Sequence, residues 1–161
     1  MKPYADTNFF TRLYLPLAET SAAEGRMAAA HTARSEPLPV TWLLRVEFTA
    51  ALQLHVFFGR HGGHVRVTPE QAAMAAENFR SDIQAGHFLC AHRIGDEELA
   101  ARAEEMAWRH AAKHGFRTYD LLHVAAALLV GCDVFWSFDE RASKLAALEG
   151  LKTAGRARTA S

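Results

Sequence analysis

Short apolar runs alternate with longer helix-like segments along the chain, and this alternation predicts its secondary structure. The first run, residues 3–5, leads into the helix-capping residues Asp6, Thr7 and Asn8. That order predicts a short strand, a sharp turn and a helix. Later apolar runs predict further short strands at residues 38–41, 88–91, 134–138 and 151–153.

Between these runs, capping signals and residue composition predict helices. Thr68 before Pro69 is typical of a cap and a first helical position, and Gly86 is expected to end the same helix. Thr118 is expected to cap an alanine- and leucine-rich helix that runs to Gly131. The predicted helices cover about residues 8–16, 19–35, 42–59, 69–85, 96–114, 119–130 and 140–149. Strands that alternate with helices predict an α/β fold, with a parallel sheet covered by helices on both faces.

Composition narrows the class of protein. Half of the 161 residues are hydrophobic and 22% are charged, which excludes a disordered polymer. We expect one domain over residues 1–153 and a flexible basic tail over residues 154–161.

Basic and acidic residues number 18 each, so any nucleic-acid contact must be local rather than driven by bulk charge. The two cysteines form no CxxC pair, and the longest apolar run, residues 124–131, is too short for a membrane span. These features predict a soluble cytoplasmic protein.

Two acids stand where a predicted strand turns into a helix. Asp6 follows the first strand, and Asp139 follows the most strongly apolar one. Each of them alone is best explained as a helix cap. Ligands of parallel sheets bind beyond the carboxyl ends of the strands, so both acids are expected at the edge where a site would form.

Glu47 and Asp120 lie on predicted helices that could flank the same edge. On a helix, the neighbours of Glu47 one to three turns away are apolar, which predicts that it lies on the core-facing stripe; they are Leu43, Ala51, Leu54 and Phe58. A carboxylate there needs a cation, a proton or an ion pair, for which Arg12 and Arg45 are candidates. Asp120 occupies a first helical turn, and His123, one turn later, could orient it or pack against backbone.

Taken together, the four acids predict a metal site. Several carboxylates within a few ångströms of each other repel, and a divalent cation removes that conflict. An all-oxygen ligand set suits Mg²⁺ or Mn²⁺ rather than zinc. Such an ion can activate water and neutralise charge during phosphodiester hydrolysis.

Four segments carry a family resemblance: Tyr-Ala-Asp-Thr-Asn at residues 4–8, Arg-Val-Glu-Phe at 45–48, Arg-Thr-Tyr-Asp-Leu-Leu-His-Val-Ala-Ala-Ala at 117–127 and Ser-Phe-Asp at 137–139. In order and spacing they resemble the PIN domain ribonucleases, and most closely the VapC-type toxins of bacterial toxin–antitoxin pairs. The resemblance implies a three-layer α/β/α sandwich around a roughly five-stranded parallel sheet, and Mg²⁺- or Mn²⁺-dependent endoribonuclease activity. By motif, the acidic metal cluster would comprise Asp6, Glu47, Asp120 and Asp139.

The same resemblance implies supporting residues and partners. Asn8 and Thr118 match positions that support the acids, and Ser137 stands where many relatives have threonine, which keeps the hydroxyl group. The family also implies an RNA substrate, a homodimer and a separate antitoxin chain that covers the active site. Apart from the resemblance, Arg117 is the arginine near the acids that we favour for phosphate binding.

Other functions stay open at this point. His55, His61 and His64 form an H-x₅-H-x₂-H pattern that could bind zinc, although no cysteine or acid completes a known spacing. A nucleic-acid-binding module without catalysis is a second alternative, and a metal nuclease that acts on DNA is a third. The large aromatic residues are assigned to the core rather than to base stacking; they are Trp42, Phe48, Phe57, Phe58, Phe135 and Trp136.

Overall fold

The computed structural model describes residues 1–33 and 35–153, so the predicted tail at 154–161 lies outside the described residues. Strands and helices alternate as predicted. The elements are β1 (Pro3–Ala5), α1 (Thr7–Tyr14), α2 (Thr20–Thr32), β2 (Leu38–Val40), α3 (Trp42–Arg60), α4 (Pro69–Ala85), β3 (Leu89–Ala91), α5 (Asp96–His114), α6 (Thr118–Leu129), β4 (Val134–Trp136), α7 (Glu140–Leu148) and β5 (Lys152–Thr153). Among these helices, none is both long and apolar enough to cross a bilayer.

The strands form three layers with the helices. Tyr4 and Phe135 pack into a core with α5, α6 and α7, whereas the alternate residues Ala5, Val134 and Trp136 pack into a second core with α1 to α4. Because successive strand residues point to opposite faces, the sheet is buried on both sides. The predicted α/β/α sandwich with a parallel sheet is confirmed.

The sheet is divided into two hydrogen-bonded parts, which corrects the expectation of one roughly five-stranded sheet. β4 pairs in parallel with both β1 and β5, and β2 pairs in parallel with β3. β1 and β2 contact each other between the two parts, so the order of the strands across the sheet is β3–β2–β1–β4–β5. The five described strands therefore lie side by side, with a seam between β1 and β2.

Proline explains the seam on the β2 side. The Leu38 N–H donates to the Phe88 carbonyl at 2.8 Å, and the His92 N–H donates to the Val40 carbonyl at 2.9 Å. Leu38 and Val40 therefore direct their backbone groups toward β3, and Pro39 between them faces β1. Proline has no N–H, so it cannot donate across the seam.

Another proline faces the seam from β1. The Asp6 N–H donates to the Trp136 carbonyl at 3.1 Å, and the Asp133 N–H donates to the Lys2 carbonyl at 2.9 Å. These bonds direct Lys2 and Asp6 toward β4, so Pro3 faces β2 without a donor. Each strand thus lacks a donor where a continuous sheet would need one.

The long helix α3 differs from the prediction in its orientation. Its buried face is formed by Leu44, Phe48, Leu52 and Val56, together with Leu43. Leu54 and Phe58, which were expected beside Glu47 on the buried stripe, are about half exposed, and Glu47 itself borders the core. The core assignment is also wrong for Trp42 and Phe57, which are 48% and 51% exposed, and it is confirmed for Phe48, Phe135 and Trp136.

Candidate functional site

One cavity, of about 430 Å³, collects all four predicted acids at the carboxyl edge of the sheet. Asp6 follows β1, Asp139 follows β4, and Glu47 and Asp120 reach it from α3 and α6. The predicted residues Asn8 and Arg117 line it as well. Because strands, helices and turns remote in sequence meet here, the arrangement is a product of the fold rather than of local capping.

Asp6 is the most deeply buried of the four acids, with 5% of its surface exposed. It caps α1 by accepting the Phe9 N–H at 2.9 Å, so the local capping interpretation and the cavity position both hold. Burial raises the pKa of Asp6 to about 6, although His123, the Ser137 hydroxyl and the Phe9 N–H oppose the shift. A cation close to Asp6 would stabilise the ionised form of this carboxylate.

Asp139 is fixed by the turn that follows β4. Its Oδ1 accepts the Arg141 N–H at 2.7 Å as the cap of α7, and its own N–H donates to Ser137 Oγ at 2.8 Å. The preceding residue, Phe138, donates its N–H to Asn8 Oδ1 at 3.1 Å. Asn8 and Ser137 therefore hold the turn that carries Asp139.

Glu47 is bound by a histidine and a threonine rather than by an arginine. Its Oε2 makes short hydrogen bonds with His123 Nε2 and with the Thr7 hydroxyl. Burial acts to raise the pKa of Glu47, but the interactions with His123 and Thr7 outweigh it, so the pKa lies below its ordinary value. The alternative of an Arg12 partner is wrong, because Arg12 binds Glu19 at 2.9 Å.

His123 is the residue whose position the sequence predicted least well. It neither orients Asp120 nor bonds to backbone; it links Glu47 to the fully buried Tyr4, whose hydroxyl lies 2.9 Å from His123 Nδ1. Burial raises the pKa of Tyr4, so the hydroxyl keeps its proton, and it also hydrogen-bonds to Thr41. In the sequence, His123 could be singled out as a site residue because it lies one turn after Asp120, on the same helix face.

Asp120 lies at the start of α6. Its Oδ2 accepts the backbone N–H of Arg117 at 2.9 Å, and Arg117 is the residue that precedes the helix. The prediction that Thr118 caps this helix is wrong, since Thr118 is its first helical residue and is exposed. His55, which is half-buried, also lines the cavity, and burial together with Arg12 lowers its pKa.

The donor chemistry of the cavity suits a hard cation, although no preformed site is present. Within the ranges 1–33 and 35–153, no three carboxylate, imidazole or thiol side chains are arranged to hold one ion. The H-x₅-H-x₂-H zinc alternative is therefore not supported; His61 Nδ1 instead lies 2.7 Å from the Phe57 carbonyl. The four carboxylates match the oxygen preference of Mg²⁺ and Mn²⁺, and they would have to move closer together to share an ion.

Comparison with known proteins shows which family and which fold this chain is similar to. The sequence profile described as the PIN domain matches residues 4–148. No curated protein matches the sequence. Among solved structures, the fold is similar to that of VapC20 from Mycobacterium tuberculosis, which is described as a toxin that cleaves the sarcin–ricin loop. The TM-score is 0.61 at 16% identity, over 95% of this chain and 99% of that one, so the likeness shows a shared fold.

Proposed function

This chain belongs to the PIN domain family, and from that premise we propose that it is a metal-dependent endoribonuclease, the toxin of a toxin–antitoxin pair. The single observation that carries the proposal is the meeting of Asp6, Glu47, Asp120 and Asp139 at one cavity. None of the four is ion-paired to a lysine or arginine within the described residues. Their negative charge therefore stays available to a cation.

In this proposal the four carboxylates hold Mg²⁺ or Mn²⁺. When bound, the ion would lower the pKa of a water and neutralise charge on the phosphate. Asn8 and Ser137 position the Asp139 turn, and Arg117 contacts a phosphate group of the substrate. Thr118, the first residue of α6, has an exposed side chain that does not line the cavity, and its supporting role stays a prediction.

The Glu47–His123 contact sets a condition on metal binding. One oxygen of Glu47 is taken by His123 and Thr7, so an ion must bind the other oxygen or displace the imidazole. If the Tyr4 hydroxyl donates a hydrogen bond to His123 Nδ1 and Nε2–H donates to Glu47, the imidazole carries no charge and orients this carboxylate without cancelling its charge.

The direct test is cleavage of purified total RNA by the wild-type protein in Mg²⁺ or Mn²⁺, with EDTA as the metal-free control. We expect cleavage that EDTA abolishes and that added Mn²⁺ restores. Asp6→Asn and Asp120→Asn should each lower the cleavage rate by roughly a hundredfold or more while leaving the fold intact. Asp133→Asn is the matched control, because it removes a carboxylate that lies before β4, at the other end of that strand. Cleavage that persists in EDTA would contradict the proposal.

The same assay separates the alternative functions. A single-stranded DNA of the same base sequence, digested in parallel, distinguishes a DNA nuclease from a ribonuclease. Binding of RNA without cleavage in Mn²⁺ would indicate a non-catalytic module instead. We favour cleavage because the VapC20 fold is shared and all four family acids line the cavity.

The partners belong to the same proposal. We propose a separate small antitoxin chain, a homodimer and a cytoplasmic location, as in other VapC-type pairs. A short reading frame upstream that encodes a DNA-binding protein would support the antitoxin, and equilibrium sedimentation of the purified chain would test the dimer. Sequencing the products of the RNA digest would identify the RNA target and the cleavage sequence.

A further inference from the structure

Arg26, on α2, carries a charge that no acid in the described residues balances. Its Nη1 is buried and has no hydrogen-bond partner there, and it is the single side-chain atom of that kind in the described ranges. Burial lowers the pKa of its guanidinium, and no neighbouring carboxylate opposes the shift. A partly desolvated cation without an anion costs free energy, and a buried donor with no partner in the protein is satisfied by a bound water or an anion.

Arg26 lies beside the acidic cavity through Phe138. The guanidinium carbon of Arg26 is 4.7 Å from the centre of the Phe138 ring, and that of Arg12 is 5.6 Å from the same ring. Phe138 is held by Asn8 and is followed by Asp139, and Asn8, Asp139 and Arg12 all line the cavity. Arg12 therefore lines the cavity near the Asp139 turn, and Arg26 lies on the ring of Phe138, the residue before Asp139.

The two arginines differ in how their charge is used. Arg12 donates to Glu19 at 2.9 Å and to the Asn8 carbonyl at 3.1 Å, so it is engaged within the protein. Arg26, whose side chain is half-buried, is held by its ring contact and pairs with no acid in the described residues. A guanidinium fixed on an aromatic face is well suited to a phosphate, because its planar donors match two phosphate oxygens and little side-chain freedom is lost on binding.

Charge also favours a phosphate of RNA as the ligand. The four acids repel a polyanion, and the chain has a formal net charge of zero, so attraction for RNA has to come from a few placed cations. We propose that Arg26, held against Phe138, binds a backbone phosphate of the RNA next to the bond that is cleaved. This inference rests on the proposed ribonuclease function and adds a substrate subsite to it.

The test measures RNA binding without cleavage, in the Asp6→Asn background, by fluorescence anisotropy of a labelled single-stranded RNA at several salt concentrations. Adding Arg26→Gln should weaken binding about tenfold. It should also flatten the slope of log affinity against log salt by about 0.7, the value for one phosphate contact on a single strand. Arg26→Lys keeps the charge but loses the planar fork, so its salt slope should be retained and its affinity should be intermediate.

Arg80→Gln is the matched control, since Arg80 is an exposed arginine on α4 that is paired to Glu77. It should leave both affinity and slope unchanged. Equal losses in Arg26→Gln and Arg80→Gln would overturn the subsite, because they would show only a general charge effect. Circular dichroism checks folding, and if Arg26→Gln fails to fold, unchanged affinity in Arg26→Lys overturns the subsite.

The outcomes also separate this inference from the proposed function. If the wild-type protein cleaves RNA but Arg26→Gln binds it as tightly as its parent, the ribonuclease stands and the subsite is wrong. Arg26 would then serve another anion, such as an acidic protein segment. If the wild-type protein neither binds nor cleaves RNA, both proposals fail together.

Discussion

At the scale of single residues, Asp6 combines a structural and a chemical demand. It must accept the Phe9 N–H to begin α1, and it must do so with almost no exposure to water. Since burial raises its pKa from 3.8 to about 6, the folded protein binds this proton more tightly than the unfolded chain does. The contribution of Asp6 to the free energy of unfolding therefore falls as pH rises through this range, and is lowest above about pH 6.

This linkage gives a prediction for Asp6→Asn in metal-free buffer. Asparagine caps a helix as well as aspartate does, but it has no charge to desolvate. The variant should be more stable than the wild type at pH 7.5, by about 2–3 kcal/mol, and should have no such advantage at pH 4. Urea denaturation in EDTA at both pH values measures the difference.

Asp133→Asn is again the control for this comparison, because Asp133 is exposed and should show no comparable gain as pH rises. A stability gain for Asp6→Asn that is the same at both pH values would show that the gain does not come from the Asp6 charge. A loss of stability at pH 7.5 would mean that the ionised carboxylate is structural.

Tyr4 offers a second prediction at this scale. Tyr4→Phe removes the hydroxyl that satisfies His123 Nδ1 in a site where both side chains are buried. We expect the free energy of unfolding to fall by about 1–2 kcal/mol, because a buried nitrogen loses its partner. Tyr119→Phe, at a position that is 52% exposed, should change it by less than about 0.5 kcal/mol. Equal stability of the two variants would show that Tyr4 is not the partner on which His123 depends.

At the scale of elements, Glu149 joins the end of α7 to α5. Its side chain is 3% exposed and contacts Arg102 at 3.4 Å, Arg109 at 3.0 Å and His110 at 2.7 Å. Glu149→Gln leaves Arg102 and Arg109 without their buried anion and should destabilise the protein by about 2 kcal/mol, less than a fully buried pair because the arginines are partly exposed. Glu105→Gln, which removes an exposed acid that contacts the same arginines, should cost less than about 0.5 kcal/mol. Thermal and urea denaturation compare the two variants; equal losses would show that burial of Glu149 adds nothing.

Element positions could largely be predicted from the sequence because their signals are local. Thr68 and Gln71 form the reciprocal hydrogen bonds of a capping box at the start of α4, and Gly86 and Gly115 end their helices with positive φ angles. The orientation of α3, in contrast, is not set by a local signal in the sequence. Its apolar residues encircle the helix, so periodicity alone could not decide that Leu44 and Phe48 face the core while Leu54 is exposed.

At the scale of the whole molecule, the sequence predicts that the four acids lie at one edge of the sheet, but it does not predict which residues they contact. Their positions after parallel strands follow from the rule for α/β sheets, which needs only strand order. The bond from Glu47 to His123 and the position of Arg26 beside Phe138 depend on how α2, α3 and α6 pack, and no short-range pattern reports that packing. The prolines in the sequence did indicate the seam in the sheet, because neither Pro3 nor Pro39 has an N–H to donate to a continuous ladder.

Metal binding is the prediction that involves the whole molecule, because the acids come from four separate elements. If the carboxylates draw together around an ion, millimolar Mn²⁺ should raise the melting temperature of the wild type. The rise should be about 4 °C when the concentration is tenfold above Kd. Asp120→Asn should lose most of this gain, and Asp133→Asn should keep it. An unchanged wild-type melting curve would weigh heavily against a metal cluster.

The seam between β1 and β2 bears on how far apart the acids lie. Asp6 follows β1 on one side of the seam, and Glu47 lies on α3, which follows β2 on the other side. Strands joined by backbone hydrogen bonds keep their spacing, whereas surfaces joined by packed side chains can slide by small amounts. No backbone ladder between β1 and β2 therefore fixes the gap between these two carboxylates, so the gap can narrow without breaking one. A rigid pair would suit one ionic radius, while a compliant pair can close around cations of different size.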